Sequence, residues 1–307
     1  MSTGGVAHDP SARGYAGTSP RFAQGGIQER LSGATMTEFA EKYETLLLRR
    51  ERSRLHVTLN RPEVKNALNP TLIGELKQVF GILRERRDIK VVILRGAGGT
   101  FCAGADLKNM EQSFSEKPRP GERDPIALNN REYGTFLEMV NTTPQVVVAA
   151  VEGYAIAGGF GILCVSDVAI CTEGAGFAMS ETAIGIVPAQ IAPFVAARIG
   201  VPQTRHLALI AARFKGPEAY RLGIAHYLVK DTAALDARLE EVLKQIDRCA
   251  PLANAATKAV VMKVGTEPLS SVLDFAADKF AEARRSPEAA EGLRAFAEKR
   301  PPKWAVE

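Results

Sequence analysis

The sequence predicts an α/β fold, and three observations carry this prediction. Short apolar runs typical of buried strands, at residues 91–94, 146–151 and 168–171, alternate with segments whose apolar residues have helical spacing. Two of these runs lead into glycine-rich turns. The chain has 307 residues, of which 46% are apolar and 24% charged, so it is long enough to bury a sizeable core.

The elements follow one another in a strand, strand, helix rhythm. Residues 1–38 are rich in Gly, Ser, Ala and Arg without a period and predict a disordered extension. Residues 43–50 and 55–59 read as two strands joined by the polar turn 51–54, and residues 71–86 have helical spacing. Residues 39–235 are therefore interpreted as the core that carries the site.

The remaining segments divide into a loop and a helical region. Residues 112–129, with prolines, a glycine and mixed charges, predict a flexible loop near the site entrance. From Ala189 onward the pattern is almost wholly helical, and residues 236–307 are expected to form a C-terminal helical region. Its predicted helices cover residues 237–248, 253–264, 270–284 and 287–299.

Composition excludes several classes of function. A net charge of +4, from 39 basic and 35 acidic residues, with no alternating basic and aromatic residues, does not support binding of nucleic acid. The four cysteines form no C-x-x-C pair and the four histidines have no metal-ligand spacing, so no metal is expected. No run reaches the length of a membrane span and no signal core is recognised, which predicts a cytoplasmic protein.

The two glycine-rich turns suggest a site for an oxyanion. Residues 101–107 (Phe-Cys-Ala-Gly-Ala-Asp-Leu) and 153–161 (Gly-Tyr-Ala-Ile-Ala-Gly-Gly-Phe-Gly) each have the pattern of a strand that passes through glycine into the start of a helix. Backbone N–H groups at such points have no partner within the helix. Two of them facing each other stabilise negative charge on a carbonyl oxygen without polar side chains. Either turn alone is more often only a packing device.

Three motifs together resemble the crotonase (enoyl-CoA hydratase/isomerase) superfamily. They are Asn-Arg-Pro-Glu-Val-Lys-Asn-Ala-Leu-Asn at residues 60–69 and the two turns, in the family's order and approximate spacing, and the resemblance spans residues 42–304. It implies a ββα spiral with roughly perpendicular sheets and a C-terminal oligomerisation region. It also implies an acyl-CoA thioester substrate, whose coenzyme A is part of the substrate rather than a separate cofactor, and a homotrimer or dimer of trimers.

The resemblance assigns roles to single residues. The oxyanion donors fall on the N–H groups of Ala105 and Gly158. Lys65 matches a position that contacts CoA phosphate, and Lys299 matches a C-terminal lysine that reaches CoA from the tail. The backbone that holds the pantetheine arm and adenine falls on Ala67 and Ala103, and Asp106 and Leu107 of the same loop complete the expected CoA-binding set.

One carboxylate stands where standard hydratases have two. The first glutamate position of the family falls on Gly161, and the second falls on Glu181. A carboxylate between an apolar strand and a glycine is expected to be partly desolvated, which raises its pKa toward the range useful for proton transfer. The aspartate of acyl-CoA dehalogenases falls on Ala189, which disfavours that nucleophilic chemistry.

A single glutamate leaves two reactions open. It takes a proton from water and returns it to Cα in a hydratase, or it carries a proton from C2 to C4 in a Δ3,Δ2-enoyl-CoA isomerase. Residues 157–162 and 187–194 resemble bacterial hydratases of isohexenylglutaconyl-CoA and methylglutaconyl-CoA. A dicarboxylate substrate of this kind needs a cation for its free carboxylate, and Arg131 of this chain is a candidate from its approximate position. A non-catalytic CoA-binding or scaffolding protein is the alternative from another class.

Overall fold

A computed structural model describes residues 39–40, 42–106, 118 and 121–305 of the chain. The described chain begins with an antiparallel hairpin of β1 (Leu46–Glu51) and β2 (Arg54–Leu59), in which Glu51 pairs with Arg54. Arg52 closes this tight turn with φ of 53°. The hairpin confirms the two strands and the polar turn that the sequence predicts between them.

Two sheets follow from the strand pairing. The remaining strands are β3 (Val91–Gly96), β4 (Val146–Val151), β5 (Tyr154–Ile156), β6 (Val168–Thr172), β7 (Gly176–Ala178), β8 (Arg213–Lys215) and β9 (Tyr227–Val229). The larger sheet has the order β1-β2-β3-β4-β6-β9 and is parallel from β2 onward, and the smaller has the order β5-β7-β8. Since β4 leads directly into β5 through two residues, the chain passes from one sheet to the other at the carboxyl end of β4.

The central strands are buried on both faces, which explains their continuous apolar runs. Side chains of a strand alternate between the faces of a sheet. Accordingly, Val91 and Ile93 pack in one hydrophobic cluster while Val92 and Leu94 pack in the other.

Helices cover both faces of the larger sheet. The described helices are α1 (Pro70–Leu83), α2 (Pro125–Thr142), α3 (Gly158–Cys164), α4 (Ala192–Ile199), α5 (Val201–Leu209), α6 (Gly216–Arg221), α7 (Thr232–Asp247), α8 (Pro251–Val261), α9 (Leu269–Arg284) and α10 (Pro287–Ala297). Helix α1 begins where the Asn69 side chain accepts a 2.8 Å hydrogen bond from the Leu72 N–H. Buried residues of α7 cover the face that carries Val91 and Ile93.

Two expectations from the sequence are corrected. The region after Ala189, expected to be almost wholly helical, also contains β8 and β9, which extend the two sheets. Strands of three residues are too short to show a period of two, and for this reason the pattern missed them. The loop expected at residues 112–129 ends earlier, because Asp124 caps the N-terminus of α2. The predicted boundary between core and helical region falls inside α7, and the division itself stays a prediction.

The C-terminal helices contact the edge of the sheet at which its parallel strands begin. Lys258 of α8 donates a 2.6 Å hydrogen bond to the Gln145 carbonyl, just before β4, and forms an ion pair with Asp167, just before β6. Lys90, just before β3, donates to the Trp304 carbonyl. Across the described ranges, no helix combines the length and the apolar character needed to cross a bilayer.

Candidate active site

The two glycine-rich turns are hydrogen-bonded to each other. The Cys102 N–H donates to the Tyr154 carbonyl at 2.8 Å, and the Ile156 N–H donates to the Cys102 carbonyl at 3.0 Å, which makes a parallel bridge between the turns. Both turns follow the carboxyl ends of neighbouring parallel strands, β3 and β4. Ligand sites of open α/β sheets lie at this edge. The fold therefore brings together the two segments that the sequence singles out.

The first turn leaves the Ala105 amide free to bind a ligand. The Leu68 N–H donates to the Gly104 carbonyl at 2.7 Å, and the Asp106 N–H donates to the Leu68 carbonyl at 2.9 Å. This parallel bridge uses the residues on either side of Ala105, so the Ala105 N–H points to the other side of the strand. It makes no hydrogen bond within the described chain, and Ala105 is exposed.

The second turn presents the Gly158 amide through a strained backbone. Ala157 has φ of 50° and ψ of −118°, a conformation that L-residues rarely adopt, and Gly158 is the first residue of α3. The first N–H groups of a helix have no intrahelical partner, and the Gly158 N–H has none elsewhere in the described part of the chain. Ala157 itself is held in place, because its N–H donates to the Ala178 carbonyl at 2.9 Å.

Close packing keeps the two amides on neighbouring segments. Gly104 has φ of 92°, and a Cβ on it would lie 3.0 Å from both the Ile156 carbonyl oxygen and the Ala157 Cβ. A Cβ on Gly158 would lie 2.5 Å from Leu68 Cδ1. Leu68 thus contacts both donor segments, by its backbone on one side and by its side chain on the other. The pattern of small residues gave no sign of this role for Leu68.

Glu181 begins the 3₁₀ turn Glu181–Ile184, just after β7, and is buried with 9% of its surface exposed. Its Oε2 atom has no hydrogen-bond partner among the described residues. Burial raises the pKa of Glu181, and a hydrogen bond from its own backbone N–H works in the opposite direction. A buried carboxylate that has one unpartnered oxygen and a raised pKa is suited to exchange protons with a ligand.

The position of the absent first glutamate is closed by neighbouring side chains. A Cβ on Gly161 would lie 2.3 Å from Ile191 Cγ2 and 3.3 Å from the Tyr133 hydroxyl. Ile191 is 3% exposed and belongs to the core. The space is therefore filled, and a longer side chain at residue 161 does not fit without movement of Ile191.

Tyr133 is a site residue that the sequence reasoning missed. It lies on α2, and its hydroxyl donates a 2.5 Å hydrogen bond to the Gly158 carbonyl. Burial raises the pKa of the Tyr133 phenol well above its ordinary value, and the charge of Glu181 adds to the effect. Tyr133 therefore lies near both the expected oxyanion donor and the buried carboxylate.

The loop that carries the expected CoA contacts is fixed by an unforeseen side chain, Asn66. Asn66 is fully buried, accepts a 2.8 Å hydrogen bond from the Arg61 N–H, and donates to the carbonyls of Ala97 and Thr100 at 2.9 and 2.6 Å. Arg61 in turn donates to the Ala67 carbonyl at 2.5 Å and forms a 3.1 Å ion pair with Asp106. The motif at residues 60–69 is thus bonded to both ends of the first glycine-rich turn, through Asn66 at Thr100 and through Arg61 at Asp106.

Four of the expected CoA ligands lie on two segments that the fold joins. Lys65, Ala67, Ala103 and Asp106 are brought together: the Ala103 N–H donates to the Lys65 carbonyl at 3.0 Å, and Lys65 Nζ lies 5.6 Å from the centre of the Tyr154 ring. Leu107 lies outside the described residues. Their role in binding CoA stays a prediction.

Lys299 is exposed and has φ of 54°, after the end of α10. No hydrogen bond within the described chain links it to the loop of Lys65. The tail that follows it is anchored at the opposite edge of the sheet, where Trp304 accepts from Lys90. A contact between Lys299 and CoA stays a prediction.

Two charged residues of α2 form ion pairs. Arg131 pairs with Glu138 at 2.8 Å, and its side chain is 40% exposed. Glu132 pairs with Lys77 and is 58% exposed. Exposed ion pairs contribute little, about 0–1 kcal/mol, so the Arg131 guanidinium is available to exchange Glu138 for another carboxylate.

Cys102 lies at the centre of the paired turns but is unsuited to act as a nucleophile. Its side chain is fully buried, and burial raises the pKa of the thiol to about 12. Since the thiolate is the reactive form of cysteine, the thiol is inert at neutral pH.

Comparison with known proteins agrees with this geometry. Residues 49–307 match the sequence model of the enoyl-CoA hydratase/isomerase family. The peroxisomal Δ3,5-Δ2,4-dienoyl-CoA isomerase of Arabidopsis thaliana is 29% identical over 86% of this chain and 98% of its own. The carnitinyl-CoA dehydratase of Escherichia coli K12 is 31% identical over 85% of this chain and 98% of its own. The solved structure of Pseudomonas aeruginosa AtuE is 48% identical, with a TM-score of 0.81, over 85% of this chain and 100% of that one.

Proposed function

The chain belongs to the enoyl-CoA hydratase/isomerase family, and from this premise we propose that it adds water to a 3-branched, glutaconyl-type α,β-unsaturated acyl-CoA thioester. The observation that carries the proposal is Glu181, a buried carboxylate with a raised pKa and an oxygen that has no partner within the described chain. A group with these properties, together with two free amides, is suited to acid/base chemistry on a thioester.

The reaction assigns a task to each group. The thioester oxygen accepts hydrogen bonds from the N–H groups of Ala105 and Gly158. Water adds through its oxygen to C3, and the electrons of the C2–C3 double bond move onto the thioester oxygen as an enolate. Glu181 takes one proton from the attacking water and returns it to C2 as the enolate collapses. The oxyanion donors lower the barrier because charge on the oxygen is greatest at the enolate stage.

The 3-branched, glutaconyl-type substrate is supported by the segment after Glu181. Ile191 lies within residues 187–194, whose sequence resembles glutaconyl-CoA hydratases, and it fills the space at Gly161. The lack of a first glutamate is therefore built into the packing of this segment. Gln190 of the same segment donates a 2.8 Å hydrogen bond to Asn130, next to Arg131, which is proposed to bind the free carboxylate of the substrate.

The second candidate reaction is a Δ3,Δ2-enoyl-CoA isomerase. It uses the same oxyanion donors and moves a proton from C2 to C4 through Glu181. A single carboxylate is sufficient for this transfer because no water has to be positioned. An isomerase and a dehydratase both appear among the relatives.

One assay with two substrates separates the reactions. The protein is mixed with 3-methylglutaconyl-CoA and, separately, with a 3-enoyl-CoA, and the conjugated-thioester absorbance is followed together with the product mass. Loss of absorbance with a gain of one water from the glutaconyl ester supports the hydratase. If instead the 3-enoyl ester gives a conjugated thioester of unchanged mass and no hydration is seen, the isomerase becomes the assigned activity. If neither ester is turned over, both proposed reactions are contradicted.

We also propose that the protein assembles as a homotrimer or a dimer of trimers. The C-terminal helices and the residues beside them expose large apolar side chains, with Val261 60%, Leu269 70%, Phe280 70% and Phe296 86% exposed. Exposed apolar surface of this kind marks association sites. Light scattering during size-exclusion chromatography measures the mass, and a monomer would contradict this proposal. A cytoplasmic location stays a prediction from the sequence.

A further inference from the structure

The amide of Gly158 sits in a turn that has little intrinsic preference for its shape. Ala157 is strained, with φ of 50° and ψ of −118°, and it is followed by two glycines, the residue type with the greatest backbone freedom. Strained conformations cost on the order of 1–3 kcal/mol and persist only where surrounding contacts hold them. The direction of the Gly158 N–H therefore depends on the hydrogen bonds around the turn.

Three of those hydrogen bonds come from the backbone. The Ile156 N–H donates to the Cys102 carbonyl at 3.0 Å, and the Ala157 N–H donates to the Ala178 carbonyl at 2.9 Å. The Gly161 N–H donates to the Ala157 carbonyl at 3.0 Å. The last of these bonds holds the peptide group that carries the Gly158 N–H, but none of the three holds the next peptide group, between Gly158 and Gly159.

Besides its bonding within α3, the carbonyl of that peptide group accepts a side-chain hydrogen bond, from the Tyr133 hydroxyl at 2.5 Å. The phenol is buried, and its ring packs against Phe136 with the ring centres 6.0 Å apart. Burial raises its pKa well above the ordinary value, so the group stays a neutral donor. Within the described chain, no other side chain donates a hydrogen bond to residues 157–161.

We propose that Tyr133 is a positioning residue of the oxyanion hole. Its hydroxyl fixes the peptide group after Gly158 while the Gly161 N–H fixes the one before it, and together they set the angle at which the Gly158 N–H meets the thioester oxygen. Tyr133 acts through the backbone and does not itself exchange a proton with the substrate. This inference rests on the part of the proposed function that places the thioester oxygen on the Gly158 amide. It does not depend on whether the reaction is hydration or isomerisation.

A purely space-filling role makes a different prediction. The Tyr133 hydroxyl lies 3.2 Å from a Cβ on Gly158 and 3.3 Å from one on Gly161, so the ring also forms part of the wall of the site. Tyr133→Phe keeps the ring and its contact with Phe136 and removes only the hydroxyl. If the residue merely fills space, this variant behaves as the wild type.

The test measures the oxyanion hole directly with acetoacetyl-CoA. The C2 proton of this thioester is acidic, and a working oxyanion hole binds it as the enolate, which has its own near-ultraviolet absorbance. We expect Tyr133→Phe to weaken the enolate signal and the turnover number by about tenfold or more, because small misplacement of a group costs up to about a hundredfold. Affinity for free CoA, which lacks the acyl carbonyl, is expected to stay unchanged.

Tyr43→Phe is the matched control. Tyr43 is also a largely buried tyrosine, and its hydroxyl accepts a 3.2 Å hydrogen bond from the Ala40 N–H before β1. The Tyr43→Phe variant loses a phenol hydroxyl that contacts the backbone away from the site. We expect the enolate signal of this variant to match that of the wild type.

The outcomes are distinguishable. If the wild type gives no enolate signal, the oxyanion site of the proposed function is refuted and the inference falls with it. If the wild type gives the signal and folded Tyr133→Phe gives it within about threefold, less than 1 kcal/mol, the inference alone is overturned. Loss of native circular dichroism in Tyr133→Phe would assign the hydroxyl to folding and would also overturn it.

Discussion

Replacing Glu181 with glutamine should lower turnover sharply and stabilise the protein at the same time. Glutamine keeps the size of the side chain and removes both the charge and the ability to exchange a proton. General acid/base groups contribute about 10²–10⁴ in rate, and we expect a fall of this size in the turnover number. Affinity for CoA should stay near normal, since the contacts expected for CoA lie on the loop of Lys65.

The gain in stability follows from burial. Glu181 is 9% exposed, and its Oε2 lacks a partner within the described chain. An unsatisfied buried polar group costs about 1–3 kcal/mol, and more when it is charged. The neutral amide of glutamine does not carry the part of this cost that comes from burying a charge. We therefore expect the free energy of unfolding at neutral pH to rise by about 1 kcal/mol or more.

The difference in stability should depend on pH in a defined direction. Burial raises the pKa of Glu181 above the ordinary 4.5, so between the two pKa values the native state binds more protons than the unfolded state. Stability of the wild type therefore falls as the pH rises through this window and levels off above the raised pKa. The variant lacks this change, so its advantage is greatest above the window and vanishes below pH 4.5.

Urea unfolding at several pH values measures this, and Glu291→Gln provides a control of opposite sign. Arg300 holds the pKa of Glu291 at about 2, so this carboxylate contributes stability above its ordinary pKa, and its loss should destabilise the protein while activity is unchanged. Normal turnover of Glu181→Gln would remove Glu181 as the acid/base. A less stable Glu181→Gln at neutral pH would refute the argument from burial.

Gly158→Val should lower turnover by about 10²–10³ and weaken thioester binding, because its Cβ would lie 2.5 Å from Leu68 Cδ1 and displace an oxyanion donor; a fully active variant would refute that assignment. Gly161→Glu should not create a second acid/base, because its Cβ would lie 2.3 Å from Ile191 Cγ2. Denaturant unfolding should show that the free energy of unfolding falls by about 1–3 kcal/mol, and faster hydration would contradict the packing argument. Lys65→Ala should raise KM for CoA esters by the equivalent of about 0.2–1 kcal/mol with unchanged kcat, and an unchanged KM would remove Lys65 from the CoA site.

The paired turns were predictable because their signals are local. An apolar strand, a glycine and a helix start are written in adjacent residues, and the carboxyl ends of parallel strands meet at one edge of a sheet. The helical spacing of residues 71–86 likewise predicted α1, observed at Pro70–Leu83. Among the described strands, β8 and β9 were missed, because three residues that complete a sheet carry no period of their own.

The residues that hold the site together were not predictable from the sequence. Tyr133 reaches Gly158 over 25 positions, and Asn66 reaches Thr100 over 34. Leu68 reads as an ordinary core residue, although its side chain packs against the position that a Cβ on Gly158 would take. Each role depends on a contact between segments that the fold alone brings together.

The sequence by itself determined the α/β class, the two amide-bearing turns and the single carboxylate Glu181, because strand length, glycine placement and residue type are properties of short segments. Tertiary structure alone decided that Glu181 is buried with an unpartnered oxygen, that Ile191 closes the space at Gly161, and that Tyr133 holds the Gly158 peptide. Burial and hydrogen bonding depend on which distant segments meet, and this choice is made by the packing of the whole chain.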